Sequence, residues 1–310
     1  MASNNLQEKA VFTFIWAIEN SSVLSIYGAR SPAFTVDSLA ETRWELSIST
    51  FSDIIACYIF RKPAMNGPDS IDVDFELSFL NSAGLPLVRK RDNKQFKKGD
   101  NFHFIDFARM EDVFKRERNE YTPKDILTVR CQIWGKADEM SKADLCFART
   151  HMGMDRRYFI WPIKEFGSLQ EGDKRTHIVK SVTKGLKRVK LILFLCQSGQ
   201  DGENIHITID TGRSAAECWI DCRISLLDIE GKVVHNRRKG WLSSSEDRFS
   251  EFQQFYLKND LLEDKVTLLP NDTLNLRCEF TVYTKSVWSQ IEGQKKKKAV
   301  WTRRERNASQ

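Results

Sequence analysis

The pattern of one stretch of this chain returns half a chain later, and that narrows what 310 residues can become. Val73-Asp74-Phe75-Glu76-Leu77-Ser78-Phe79-Leu80-Asn81-Ser82-Ala83-Gly84 alternates apolar and polar residues and closes on a small polar turn. Cys222-Arg223-Ile224-Ser225-Leu226-Leu227-Asp228-Ile229-Glu230-Gly231 does the same. Gly84 and Gly231 lie 147 residues apart, as do Ser78 and Ser225. Cys131, closing Pro123-Lys124-Asp125-Ile126-Leu127-Thr128-Val129-Arg130-Cys131, and Cys278, closing Pro270-Asn271-Asp272-Thr273-Leu274-Asn275-Leu276-Arg277-Cys278, keep the 147-residue spacing. Near the start, Phe14-Ile15-Trp16-Ala17-Ile18 is matched by Phe159-Ile160-Trp161-Pro162-Ile163 at a spacing of 145. Solenoid repeats are far shorter, so the pattern reads as two copies of a whole domain.

The period within each copy is two. Phe12, Phe14, Trp16 and Ile18 share one face, as do Leu127, Val129, Cys131 and Ile133, with more polar residues between. Similar runs cover 44–48, 54–60, 73–80, 85–91 and 102–107, separated by Gly, Pro and polar turns. Residues 110–118 suit one short helix. The expected fold class is all-β, as two tandem antiparallel β-sandwiches of about eight strands each. The expected domains are 10–136 and 158–285, a linker over 137–157, and a basic, disordered tail over 286–310.

Charge sharpens the division. The formal net charge is +6. Residues 293–310 carry four Lys, three Arg and one Glu, which leaves the body neutral. A basic tail on a neutral body argues against a nucleic-acid-binding fold. The polar opening has no secretory pattern, and the apolar run Leu191-Ile192-Leu193-Phe194-Leu195-Cys196 is too short to cross a bilayer. No membrane association is expected. The seven cysteines sit within apolar strand patterns and suit reduced, buried thiols in an intracellular setting. Nuclear or cytoplasmic localisation follows as an expectation.

Chemical motifs are sparse. Asp210-Thr211-Gly212 has the form of an aspartic-protease turn, but that chemistry needs two carboxylates sharing a proton and no second copy exists. Cys218 and Cys222 share a strand face without further ligands at zinc spacing. No Walker loop or dinucleotide fingerprint is present, so no cofactor and no metal is expected. Lys295, Lys296, Lys297 and Lys298 could serve as a nuclear localisation signal, touch phosphates, or simply be solvated. Trp301 is out of place in such a tail.

One combination is specific. Phe14-x-Trp16-x-Ile18-x-Asn20, Ser31-Pro32-x-Phe34, Trp44-x-Leu46, Phe75-x-Leu77-Ser78-x-Leu80-Asn81 and Pro123-x-Asp125-x-Leu127-Thr128-x-Arg130-Cys131 occur in order. This first copy resembles a MATH domain, the TRAF-type sandwich, most like those of speckle-type POZ proteins. The second copy resembles the family more loosely. The resemblance implies a non-enzymatic module that binds an extended segment of a protein partner along an exposed strand. By motif, the binding residues are Tyr58, Phe75, Phe96, Phe102 and Phe104. The family's Lys-Asp-Trp-Gly-Phe-Lys is here Asp100-Asn101-Phe102-His103-Phe104-Ile105, which points to a more apolar ligand. In the second copy Cys222 stands for Phe75, so the second copy is expected to be structural or docking.

In the family such a module presents substrates to a cullin-RING ubiquitin ligase through a BTB/POZ domain. Only 27 residues follow Tyr283 here. The expected function is a substrate adaptor in ubiquitin-dependent proteolysis that reaches BTB-containing or cullin components indirectly. The alternative is a self-associating scaffold with no peptide ligand, and a remote one is the protease.

Overall fold

The computed structural model describes residues 12–63, 67–134, 144–180, 188–197, 202–212, 217–244 and 246–295. The fold is all-β, and the chain divides into two units: Met1–Met152 with Lys285–Gln310, and Gly153–Thr284. Two long strands contribute to both units. β10 spans Asp144–Lys164 and β17 spans Thr273–Lys295.

In the first unit, the strands are β1 Phe12–Glu19, β2 Ala29–Arg30, β3 Phe34–Val36, β4 Thr42–Phe51, β5 Ile54–Arg61, β6 Ser70–Leu80, β7 Pro86–Lys97, β8 Asn101–Arg109 and β9 Ile126–Trp134. One sheet runs β10-β1-β9-β6-β7, and the facing sheet runs β2-β4-β5-β8 with β3 also on β4. Alternation fills the space between them. Phe12, Phe14, Trp16 and Ile18 are fully buried on β1, and Val73, Phe75, Leu77 and Phe79 on β6. Phe14 stacks on Phe34 at 4.0 Å, and the Trp16 indole N–H donates to Thr150 Oγ1 at 2.8 Å. Each such ring contributes roughly 1.5–3 kcal/mol by leaving water.

The second unit repeats the plan with β11 Lys174–Lys180, β12 Arg188–Gln197, β13 Glu203–Asp210, β14 Cys218–Leu227, β15 Val233–Ser243 and β16 Phe249–Leu257. One sheet runs β15-β14-β17-β10 and the other β11-β12-β13-β16. Its core joins Trp161, Leu191, Leu193, Ile207, Ile224, Phe255 and Leu276.

The duplication extends to single hydrogen bonds. Asn81 Oδ1 accepts from the Ala83 and Leu85 amides, both at 3.0 Å. Asp228 Oδ1 accepts from Glu230 and Lys232 at 2.9 and 2.8 Å. Both turns then place glycine at positive φ, +78° for Gly84 and +79° for Gly231, where a side chain would be strained. A cross-strand Arg91–Asp74 pair has its counterpart in Arg238–Asp221. The β5–β8 ladder shifts register between Ile55 and Cys57, and β13–β16 shifts between Ile205 and Ile207. Asp125 Oδ1 accepts the Ser22 amide, and Asp272 Oδ1 accepts the Gly167 amide, each at 2.9 Å.

Two expectations need correction, and two further features appear beside them. The linker over 137–157 is a strand from Asp144 onward, because residues 144–151 pair with β1. That pairing is parallel, a local feature within the antiparallel sandwich. The tail assigned to 286–310 is strand as far as Lys295. β6 is covered on both faces: Glu76 and Ser78 on its outer face are also buried, because Arg130 donates to Ser78 Oγ at 3.1 Å and to Glu76 Oε1 at 3.2 Å. Lys296, Lys297, Lys298, Trp301 and the side chain of Lys295 lie outside the described residues.

Candidate functional site

Pairing and period two decide where the five aromatic candidates sit. On the β5–β8 ladder, Cys57 faces Phe104, Tyr58 faces His103 and Ile59 faces Phe102. Cys57 and Ile59 are core residues, so Phe102 and Phe104 lie on the inner face of their sheet. Tyr58 lies on the outer face, 5.1 Å from the His103 ring and 5.9 Å from Phe60. The expected single groove is therefore divided between two faces.

Two of the five are core. Phe75 and Phe96 are 0% exposed. Phe96 packs edge-on against Trp44 at 5.0 Å and against Phe75 at 5.8 Å, and a ring enclosed in this way offers no face to a ligand. Their assignment as binding residues is thus corrected. Phe102 and Phe104 are half-buried, resting on Phe75 at 5.4 and 6.2 Å with their remaining surface at the rim.

β8 is the last strand of its sheet, with a backbone neighbour, β5, on one side. Sheet edges of this kind accept added strands unless they are guarded. Here the guards are lysines from β7. Lys90 Nζ donates to the Asp106 carbonyl at 2.7 Å and to its carboxylate at 2.8 Å, and Lys94 Nζ donates to the Asn101 carbonyl at 2.6 Å. The Lys90 ammonium holds the Asp106 carboxyl below the usual carboxylate range. Between the two guards, the register shift leaves Ile105 at 57% exposure.

The turn at Gly99 is built from below. Arg61 is 2% exposed, and its guanidinium donates to the Phe96 carbonyl at 2.7 Å, to the Asp69 carbonyl at 3.2 Å and to the Pro68 carbonyl. The Arg61 carbonyl accepts from the Gly99 amide at 3.1 Å. Burial lowers the Arg61 pKa, while Asp69 and Asp100 oppose that. Sequence reading missed this clamp, whose only signal is a cation ending an apolar strand. It used Ile105 for the character of the ligand but did not place it among the binding residues, although the alternation of Phe102, His103 and Phe104 makes the parity readable.

The other motifs resolve locally. Asp210 Oδ1 accepts from the Gly212 amide at 2.8 Å and lies 3.9 Å from Arg248, so this carboxylate caps its own turn. Cys218 and Cys222 are buried, with burial raising the Cys218 thiol to about 11 and the Cys222 thiol well above its usual value. Among the described residues no three metal-ligating side chains converge.

In the second unit a cleft of about 500 Å³ opens between β15 and β16, lined by Arg237, Arg238, Lys239, Phe249, Ser250, Glu251, Phe252 and Gln253. These strands correspond to β7 and β8, the edge where groove chemistry was expected to be missing. Ser250 stands where the first unit has Phe102, and Phe252 where it has Phe104.

No protein-family model and no curated protein matches the chain. Among solved structures, TRAF5 of Notothenia coriiceps is similar at 12% identity, covering 40% of this chain and 75% of that one, with a TM-score of 0.31. BuGH86wt in complex with neoagarooctaose is similar at 7% identity over 77% of this chain and 34% of that one, with a TM-score of 0.14. AerE from Microcystis aeruginosa is similar at 8% identity over 83% and 99%, with a TM-score of 0.11. At these TM-scores no functional argument is drawn from the likenesses.

Proposed function

We propose that the first unit is a protein-binding module that takes an extended segment of a partner along β8. The observation that carries this reading is the stretch of edge between the two lysine guards. β8 has a strand on one side, half-buried Phe102 and Phe104 on its inner face, and Ile105 exposed at its register shift. Main-chain pairing would supply affinity, and the apolar rim would select side chains. Ile105 at this position favours an apolar ligand. From the MATH resemblance of the sequence, the reading extends to a substrate adaptor in ubiquitin-dependent proteolysis, acting in the nucleus or cytoplasm and reaching BTB-containing or cullin components through others. Among the described residues no helix is long and apolar enough to cross a membrane.

The test is capture of partners from a lysate by the intact chain and by Ile105→Glu. Ile105 is exposed, so the variant keeps its thermal midpoint and loses at least tenfold in captured partner. Undiminished capture by a folded Ile105→Glu would overturn the reading. Phe102→Ala is a second probe, expected to lose capture and also some stability through its packing on Phe75.

A second reading, self-association, has its own observation. Residues 285–295 continue β17 beyond Tyr283, its last pairing with β14, and expose Val287 at 59%, Trp288 at 37% and Ile291 at 37%. Light scattering separates the two: a concentration-dependent oligomer abolished by Val287→Lys would favour the scaffold.

A further inference from the structure

β15 is the last strand of one sheet in the second unit, and β16 is the last of the other. The cleft between them is lined by residues 249–253 of β16 and by the cations Arg237, Arg238 and Lys239 of β15. Arg238 is committed to Asp221 on the neighbouring strand, its Nε donating at 2.8 Å. Arg237 reaches across, its Nη1 donating to the Gln253 carbonyl at 2.6 Å and the Gln254 carbonyl at 3.3 Å. Lys239 Nζ lies 3.4 Å from the Glu251 carbonyl. Glu251 is the one carboxylate in the lining, and it accepts from Gln253 Nε2 at 3.0 Å. With Arg238 balanced by Asp221, Arg237 and Lys239 outnumber it. Arg248, 3.9 Å from the Asp210 carboxylate, holds its guanidinium 4.6 Å from the centre of the Phe249 ring, which lines the cleft and is 46% exposed.

An independent observation points into the same cleft. Ser250 is 4% exposed, and its Oγ has no hydrogen-bond partner. A buried hydroxyl left unpaired costs stability on the order of 1–3 kcal/mol, and a ligand polar group reaching it would recover that.

Spacing identifies the ligand. Arg237 and Lys239 are two residues apart on one strand, so they project to the same side about 6.8 Å apart. An extended chain lying along this edge presents every second side chain at the same interval. We propose that the β15–β16 cleft binds an extended acidic segment of a protein, with carboxylates at alternate positions meeting Arg237 and Lys239 and a polar group reaching Ser250. This site is separate from the apolar edge of the first unit and does not depend on it.

The probe is a fluorescein-labelled ten-residue peptide alternating Glu with Val, compared with the same peptide carrying Gln for Glu, titrated with the full chain by anisotropy. The Glu peptide binds at least tenfold more tightly, and its affinity falls as NaCl rises, because exposed charges are screened. Arg237→Glu with Lys239→Glu lowers affinity at least tenfold at an unchanged thermal midpoint. Arg237→Gln with Lys239→Gln serves if charge reversal harms folding, and loses several-fold. Ile105→Glu leaves this binding intact, which separates the site from the one proposed on β8. Equal binding of the Glu and Gln peptides, or full affinity in both folded double variants, would overturn the assignment. So would equally tight binding of a single-stranded oligonucleotide of matched charge, which would make the cleft a general anion surface.

Discussion

The β7–β8 edge of the first unit and the β15–β16 edge of the second have the same construction and opposite character. Both carry the register shift and the arginine–aspartate pair, and in both a cation from the neighbouring strand donates to carbonyls of the edge strand: Lys90 to Asp106, and Arg237 to Gln253. The difference lies in a few side chains. Asp92 in the first unit corresponds to Lys239 in the second, and Phe102 corresponds to Ser250. One edge therefore carries half-buried rings and an exposed isoleucine, and the other carries cations over a buried, unpaired hydroxyl. A duplicated sandwich keeps what closes its turns and sets its register, while the rim is free to change chemistry.

The most disruptive way to probe this comparison is to attack a ring that joins core and rim. Phe75→Ala removes a fully buried ring in contact with Phe96, Phe102 and Phe104, and should cost about 3–5 kcal/mol. Hydrogen exchange resolved by unit should show the loss in the first unit. A loss below about 1 kcal/mol would mean that Phe75 faces solvent after all.

Arg61→Ala comes next. It strands the Phe96, Asp69 and Pro68 carbonyls and should cost about 3 kcal/mol, read from denaturant midpoints. The second unit closes the corresponding strand end with Thr211, whose Oγ1 lies 2.7 Å from Ser243 Oγ and donates to the Arg248 carbonyl at 3.0 Å. Thr211→Val should cost about 1–2 kcal/mol, and equal losses at the two sites would remove this distinction between the units.

A smaller contrast lies in the shared aspartate loop. Asp125 accepts from the Ser22 amide, Ser22 Oγ and Ser21 Oγ, whereas Asp272 accepts from the Gly167 amide. Asp125→Ala should therefore cost about 2 kcal/mol and Asp272→Ala about 1. The reverse order, measured by the same denaturation, would break the comparison at its most local level.

These contrasts also show what could be read in advance. The two copies, the all-β class and the inward face of β1 were legible because each rests on a period or a spacing that survives in one dimension. The state of Phe75 and Phe96 was not legible. A motif match says that an aromatic stands at a position, but whether its face is open depends on Trp44 and on rings brought in from β8. The strand at residues 144–157 was hidden because its charged and glycine-bearing sequence resembles a linker, and its ladder partner β1 lies more than a hundred residues earlier. The cleft in the second unit escaped because three consecutive cations, Arg237, Arg238 and Lys239, carry no sign in sequence of which face each takes. Only pairing shows that Arg238 is neutralised by Asp221 while its neighbours turn toward β16.

The smallest expected effect is a pH response of the second unit. His177, His206 and His235 each pack against an aromatic ring, Phe159 at 4.5 Å, Phe194 at 5.6 Å and Phe255 at 5.1 Å respectively. Burial lowers the pKa of all three, with Arg237 adding to the effect at His235 and Glu251 opposing it at His206. A histidine whose folded pKa lies below its unfolded value, about 6.5, favours the folded state most when neutral. Its contribution is present above that unfolded value and is lost as pH falls through it toward the lower folded value. The denaturant midpoint of the second unit should therefore fall between pH 7 and pH 5, and His177→Phe combined with His206→Phe should flatten that slope while keeping the ring packing. An unchanged slope in the folded double variant would assign the response to other groups and leave the two units alike in this respect.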